Sequence, residues 1–444
     1  MNNRKSRVKI LLVVTIILAF CTACGKRVEE SEDKTTLILA ILEEDRELSK
    51  QVEAFNQTHE NIEVCLKKYT EEMLEGDDSL SPIRREIAAG GGPDMIYYGM
   101  EYKTSAILGE YTENLFPYFE KDEELQKEDY FQNVLEAFSI DGKLYAVPVS
   151  FKLQTFAGRS EVLEGRKCWN IQEMMECYEA KKKDMILYPG ETKMDVFGTI
   201  CSGSMEYYVD WERGECRFEG EEFKKLLLFA DSFPLHLEMA EDFSSKRCFE
   251  EGKAMLFPLQ IAKVWDISRV GKIFGDEEIT CVGFPVEEGN GTAVYPSELV
   301  FAISANSEHK EEAWEFISSF LTKDYQMNIE ESLPIHRGAL DEQIKAAMEI
   351  EYEENQEGKK VPKAKVYITF EGEEPAAVTH ITQEEGEQLV ELIESVNLSG
   401  AKDNLLYEIV REEAEGYFEG NKGLEDTVAV IQSRAKVYIG ERKK

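Results

Sequence analysis

Apolar and polar residues follow two rhythms along the first hundred positions. Thr36 to Leu42 is a mostly apolar run of strand length. Leu48, Val52 and Phe55 then fall on one helical face. In Asn61 to Leu66 the apolar residues Ile62, Val64 and Leu66 take every second place, the pattern of a half-buried strand. Ile83 and Ile87 mark another helix, ended by Gly90-Gly91-Gly92, where glycine suits a sharp turn. Pro93-Asp94 leads into a third short strand, Met95 to Tyr98. Strand, helix, strand, helix, strand predicts βαβ units and a parallel sheet.

A second α/β stretch runs from about Thr155 to Pro285. It carries a helical run at Phe223 to Leu228 and strand-like segments at Ala254 to Phe257 and Ile279 to Phe284. Leu299 to Ser304 reads as a further strand, and Glu311 to Asp324 as one helix with Ala313, Phe316, Ile317, Phe320 and Leu321 on one face. Glu351 to Lys360 reads as a charged loop, and Val366 to Phe370 as a short strand. Three helical patterns close the chain at Glu384 to Ser395, Leu405 to Phe418 and Leu424 to Tyr438. At 444 residues the chain suits two lobes rather than one core.

The N-terminus has a different character. Arg4, Lys5, Arg7 and Lys9 precede an apolar run from Ile10 to Phe20 that is interrupted only by Thr15. Such a segment reads as a signal peptide, too short to be a spanning helix. Thr22-Ala23-Cys24-Gly25 resembles a bacterial lipobox, with Cys21 where Leu is usual. The resemblance implies cleavage after residue 23 and a diacylglyceryl group on Cys24. Residues 24–35 then form a polar tether.

The net charge of −37 argues against nucleic-acid binding, which needs a basic face. The seven later cysteines, Cys65, Cys168, Cys177, Cys201, Cys216, Cys248 and Cys281, show no metal-ligand spacing and read as free thiols, with a disulfide among the last six left open. No G-x-S-x-G or H-E-x-x-H motif occurs. The five histidines are scattered, so the reading is of a chain without enzymatic activity, cofactor or metal.

Several segments occur in an order that resembles the extracellular solute-binding proteins that include maltose-binding protein. They are Phe55-Asn56 before Ile62-Glu63-Val64, Gly90-Gly91-Gly92-Pro93-Asp94, Leu115-Phe116-Pro117-Tyr118 and Asp141-Gly142-Lys143-Leu144-Tyr145-Ala146-Val147-Pro148. Phe249 with Gly252-Lys253-Ala254-Met255, Gly283-Phe284-Pro285 and Ala313-Trp314-Glu315-Phe316-Ile317 complete the order. Near the C-terminus, Glu412-Glu413-Ala414, Tyr417-Phe418-Glu419-Gly420 and Ile431-Gln432-Ser433-Arg434-Ala435 resemble a subset of Gram-positive lipoprotein members.

The resemblance implies an α/β, two-lobed periplasmic-binding-protein-like fold of type II. Two mixed α/β lobes would be joined by hinge segments, with a ligand cleft between them. The first lobe would hold residues 36–147 plus about 298–334, and the second 148–297 plus about 335–444. Hinges are expected at Val147, Pro148 and Pro296.

The implied function is capture of a small polar ligand, a sugar or oligosaccharide first, and delivery to ABC permease transmembrane subunits. The protein would be a monomer held at the extracellular face of the membrane only by its lipid. A sensor reporting to a membrane kinase and a non-transporting adhesin remain open as other classes. Loops at the carboxyl ends of strands place Glu44, Tyr98, Glu101, Phe151, Gln260, Trp265 and Tyr295 as ligand-binding candidates. Relatives carry a stacking aromatic and a hydroxyl-binding acid where Tyr98 and Glu101 stand. The aromatic that sugar-binding relatives often place after Gly-Pro in the second lobe is replaced here by Phe257-Pro258-Leu259.

Overall fold

The computed structural model describes residues 34–69, 81–99, 111–140, 142–211, 213–237, 244–275, 277–287, 289–297, 299–369, 374–400 and 404–442. Two mixed sheets, each covered by helices, form two lobes. The first sheet has the order β2-β1-β3-β11-β4. Its strands are β1 (Thr35–Ile41), β2 (Ile62–Lys68), β3 (Met95–Tyr97), β4 (Val147–Pro148) and β11 (Val300–Ile303). The expected βαβ units are present: β1 pairs in parallel with β2 and with β3. The returning β11 runs antiparallel to β3 and β4, so the sheet is mixed.

The sequence motifs make the joints of this lobe. Helix Arg46–Thr58 buries Leu48, Val52 and Phe55 and is capped by Asp45, which accepts from the Leu48 N–H at 2.9 Å. In the last turn of that helix, the Asn56 amide accepts from the Val64 N–H and donates to the Val64 carbonyl. Gly92 has φ +105, and a Cβ there would lie 3.0 Å from the Ile87 side chain. Next to it, Asp94 accepts from the Ile38 N–H at 2.8 Å and the Ser307 hydroxyl at 2.6 Å, tying β1, β3 and the chain after β11 together. Trp314 packs on Phe119 and Tyr118 and donates to Asp122 at 2.7 Å.

The second sheet is built around β5 (Ser150–Arg159). It pairs antiparallel with β8 (Phe257–Ile261), β9 (Ile279–Cys281), β10 (Ala293–Pro296) and β12 (Leu333–Pro334). Strand β17 (Leu398–Ser399) adds to β10 in parallel. Small hairpins lie outside both sheets: β6 (Val209–Asp210) with β7 (Glu215–Cys216), β13 (Tyr352–Glu354) with β14 (Lys360–Pro362), and β15 (Val366–Ile368) with β16 (Ala376–Val378).

The expected charged loop at Glu351 to Lys360 is therefore a hairpin. The strand expected at Ala254 to Phe257 begins at Phe257, and Ala254 forms only an isolated bridge to Ile186. The helix expected over Glu311 to Asp324 stops at Ser319, and Thr322 caps a separate turn, Lys323–Gln326.

One buried cluster fills the first lobe and continues onto one face of the second sheet through Phe151, Leu153, Leu259, Ile261 and Val294. A second, rich in aromatics, fills the rest of the second lobe and takes in the helices Asn404–Phe418 and Leu424–Arg442. The seven described cysteines are free. Cys177 and Cys201 are buried, Cys168 is exposed, and burial pushes the Cys281 thiol up to about 12. Among the described residues no helix is long and apolar enough to cross a membrane.

Candidate functional site

The chain passes between the sheets three times: from β4 to β5 at Val149, from β10 to β11, and into β12. Val147 and Pro148 pair with β11, and Pro296 lies opposite Phe151. A serine stands at each passage. The Ser150 hydroxyl bonds to that of Ser297 and, at 2.6 Å, to that of Ser332. Gln326 braces the same place. It donates to the Val149 carbonyl at 2.7 Å and accepts from the Ile335 N–H at 2.8 Å.

Beside these passages one face of the second sheet is partly exposed. Directly opposed antiparallel residues share a face, as do positions two apart on a strand. Lys152 faces Tyr295, and Gln154 faces both Gln260 and Ala293. Lys152, Gln154, Gln260 and Tyr295 therefore project together. Gln260 is exposed and the other three are half-buried. Farther from the passages the same face is covered, since Phe156 packs on Tyr188 and Phe284.

Of the residues expected to meet a ligand, Gln260 and Tyr295 are brought together here. The Tyr295 ring lies against Gly400, where a Cβ would come within 2.2 Å of it, and burial pushes its hydroxyl pKa up. Phe151 is not among them. The two-residue period turns it to the opposite face, fully buried against Phe131 at 6.1 Å, and Lys152 takes the open side. Trp265 is half-buried in the turn Val264–Ile267, with the Lys365 ammonium 5.8 Å from its ring. On the first lobe, Glu44 is exposed after β1 and pairs with Lys68 at 3.1 Å. Tyr98 follows β3, buried, its N–H bonded to the Val300 carbonyl at 3.0 Å. Cys24 and Glu101 lie outside the described residues.

Sequence reading missed Lys152 and Gln154, although strand alternation counted from Pro148 points to both. It also missed the loop after Ile186–Tyr188. There the Glu191 carboxylate accepts from the Leu187 N–H at 2.6 Å and the Tyr188 N–H at 3.2 Å. Burial pushes Glu191 up to about 7, against the pull of those two donors.

A two-lobed chain with three passages and an open polar face beside them has the architecture of a binding protein. The family model for bacterial extracellular solute-binding proteins matches residues 50–335. The chain belongs to that family. Its members bind small solutes, which accords with a site that carries hydrogen-bonding groups and no hydrolytic motif. Among solved structures, the sugar-binding protein MalE from Xanthomonas citri is 17% identical, with TM-score 0.57, over 92% of this chain and 98% of that one. A family 1 extracellular solute-binding protein from Alicyclobacillus acidocaldarius gives 12% identity and TM-score 0.52 over 92% and 100%. The ABC substrate-binding protein Lmo0181 from Listeria monocytogenes, in complex with cycloalternan, gives 15% and 0.51 over 92% and 100%. At these identities the likeness carries the two-lobed fold alone. No curated protein matches the chain.

Proposed function

We propose that this solute-binding protein is the lipid-anchored receptor of an ABC importer, and that it captures a saccharide by lobe closure for delivery to a membrane permease. The observation that carries this is the open face of Lys152, Gln154, Gln260 and Tyr295 beside three chain passages. The amides of Gln154 and Gln260 match the hydroxyls of a sugar, and the half-buried Tyr295 beside them offers an aromatic edge. The sugar-binding function of the X. citri neighbour supports the same class. Tyr98, Glu101 and Glu44 would supply the opposing wall, with Trp265 at the rim. Lobes of 36–147 plus about 298–334, and 148–297 plus about 335–444, would swing about Val147, Pro148 and Pro296. Ligand contacts to both walls exist only when the lobes meet, so binding shifts the balance toward closure.

Native mass spectrometry of the purified protein is expected to find a small bound solute. Adding that solute to stripped protein should lower the radius of gyration in small-angle scattering. An unchanged profile at saturation overturns the closure reading.

A further inference from the structure

Among the described residues the open face holds one cation, and none of them neutralises it. Lys152 sits in mid-strand on β5, with Gln154 beside it and Tyr295 directly opposite. Its ammonium makes no ion pair or hydrogen bond among the described residues. Lys263, by contrast, is paired at 2.6 Å with Glu331, the neighbour of Ser332. An unneutralised lysine on a half-buried floor is unusual in a chain with 88 acidic and 51 basic residues. Holding a cation part-withdrawn from water is unfavourable unless a partner of opposite charge arrives.

The geometry points to an acidic saccharide as the ligand, with a single carboxylate seated on Lys152 and its hydroxyls on Gln154 and Gln260. This rests on the saccharide reading above. A net charge of −37 repels anions at long range, so the selectivity has to come from a local cation. One ammonium balances one carboxylate. A phosphate dianion calls for more donors and a second cation, which this face does not offer. The two glutamines, able both to donate and to accept, match the hydroxyls beside a uronate carboxyl.

The test uses the full chain in detergent. Partial hydrolysates of pectin, glucuronoxylan, alginate and hyaluronan are each offered together with the same hydrolysate after carboxyl reduction, and retained species are read by native mass spectrometry. Uronate-bearing oligomers should be retained at least about tenfold over their reduced counterparts. Lys152→Gln should lose about ten- to a hundredfold of that binding and Lys152→Arg should keep most of it, a range expected for one charge-assisted contact. The melting temperature of Lys152→Gln should not fall below the wild-type value, because the ammonium has no partner among the described residues and its charge is unfavourable there. Retention of the reduced sugars as well as the acidic ones, or unchanged binding by Lys152→Gln, overturns the inference. A parallel pool of amino acids and short peptides separates the two readings. If that pool alone is retained, the acidic-saccharide inference falls while solute capture stands. If nothing is retained from any pool, both fall.

Discussion

Glu191 and Glu413 are both withdrawn from water, yet only Glu413 has cations beside it. Glu191 meets two backbone N–H groups, and burial lifts it from the usual 4.5 to about 7. The folded state therefore holds its proton more tightly than the unfolded chain does. Its stabilising effect is complete below about pH 4.5 and is lost as pH rises through 7. Glu191→Gln should stabilise the protein against urea by about 1–2 kcal/mol at pH 8, after allowing for partial solvent exposure, and leave its stability nearly unchanged at pH 4. Equal effects at both pH values would remove this account. Burial also pushes Glu413 upward, but Lys422 and Arg434 outweigh it and hold the carboxyl below its usual range. Its sign is opposite: the stabilisation is present above the unfolded value and disappears as the medium turns acidic.

At the scale of elements, that carboxylate joins the helices Asn404–Phe418 and Leu424–Arg442. Arg434 reaches Glu413 at 2.6 Å and Glu412 at 2.8 Å, and Lys422 binds Glu413 from the turn between the helices. Glu413→Gln should destabilise the protein by about 1–3 kcal/mol at pH 7 and flatten its acid sensitivity, as followed by circular dichroism. The Glu-Glu-Ala and Ser-Arg-Ala segments were legible in the sequence as motifs, and their contact explains why they occur together. The same holds for Asn56 with Val64 and for Asp94 with Ile38, where a side chain does the work of a strand neighbour. The hairpin β13–β14 was not legible. Its strands are exposed on nearly every residue, so no alternation of apolar positions marks them. In β5 the large aromatic at Phe151 is the stronger local signal, while strand phase places Lys152 on the open face.

At the scale of the whole molecule, the serine chain across the passages bears on the balance between lobe arrangements. Ser150 is 3% and Ser332 7% exposed, so loss of the central hydroxyl leaves the buried Ser332 and the half-buried Ser297 unmatched. Ser150→Ala should disfavour the present arrangement by about 1 kcal/mol, a roughly fivefold shift in populations, measurable by energy transfer between dyes on the two lobes. An unchanged transfer efficiency would show that the hydroxyls do not set this balance. Membrane attachment has its own test. Cys24→Ser should release the protein to the medium or block its processing, and a wild-type chain found free of lipid would rule out the anchor.

Three passages are an odd number, and parity then fixes where the two ends of the described chain fall. Thr35 opens the first sheet, while the last helix, Leu424–Arg442, packs into the core of the second lobe. A chain that crossed twice would bring both ends back to one side. If the proposed anchoring and lobe closure hold, an attachment ahead of Thr35 would keep the first lobe still, and a group fused after the last described helix would travel with the second, a stator and a rotor.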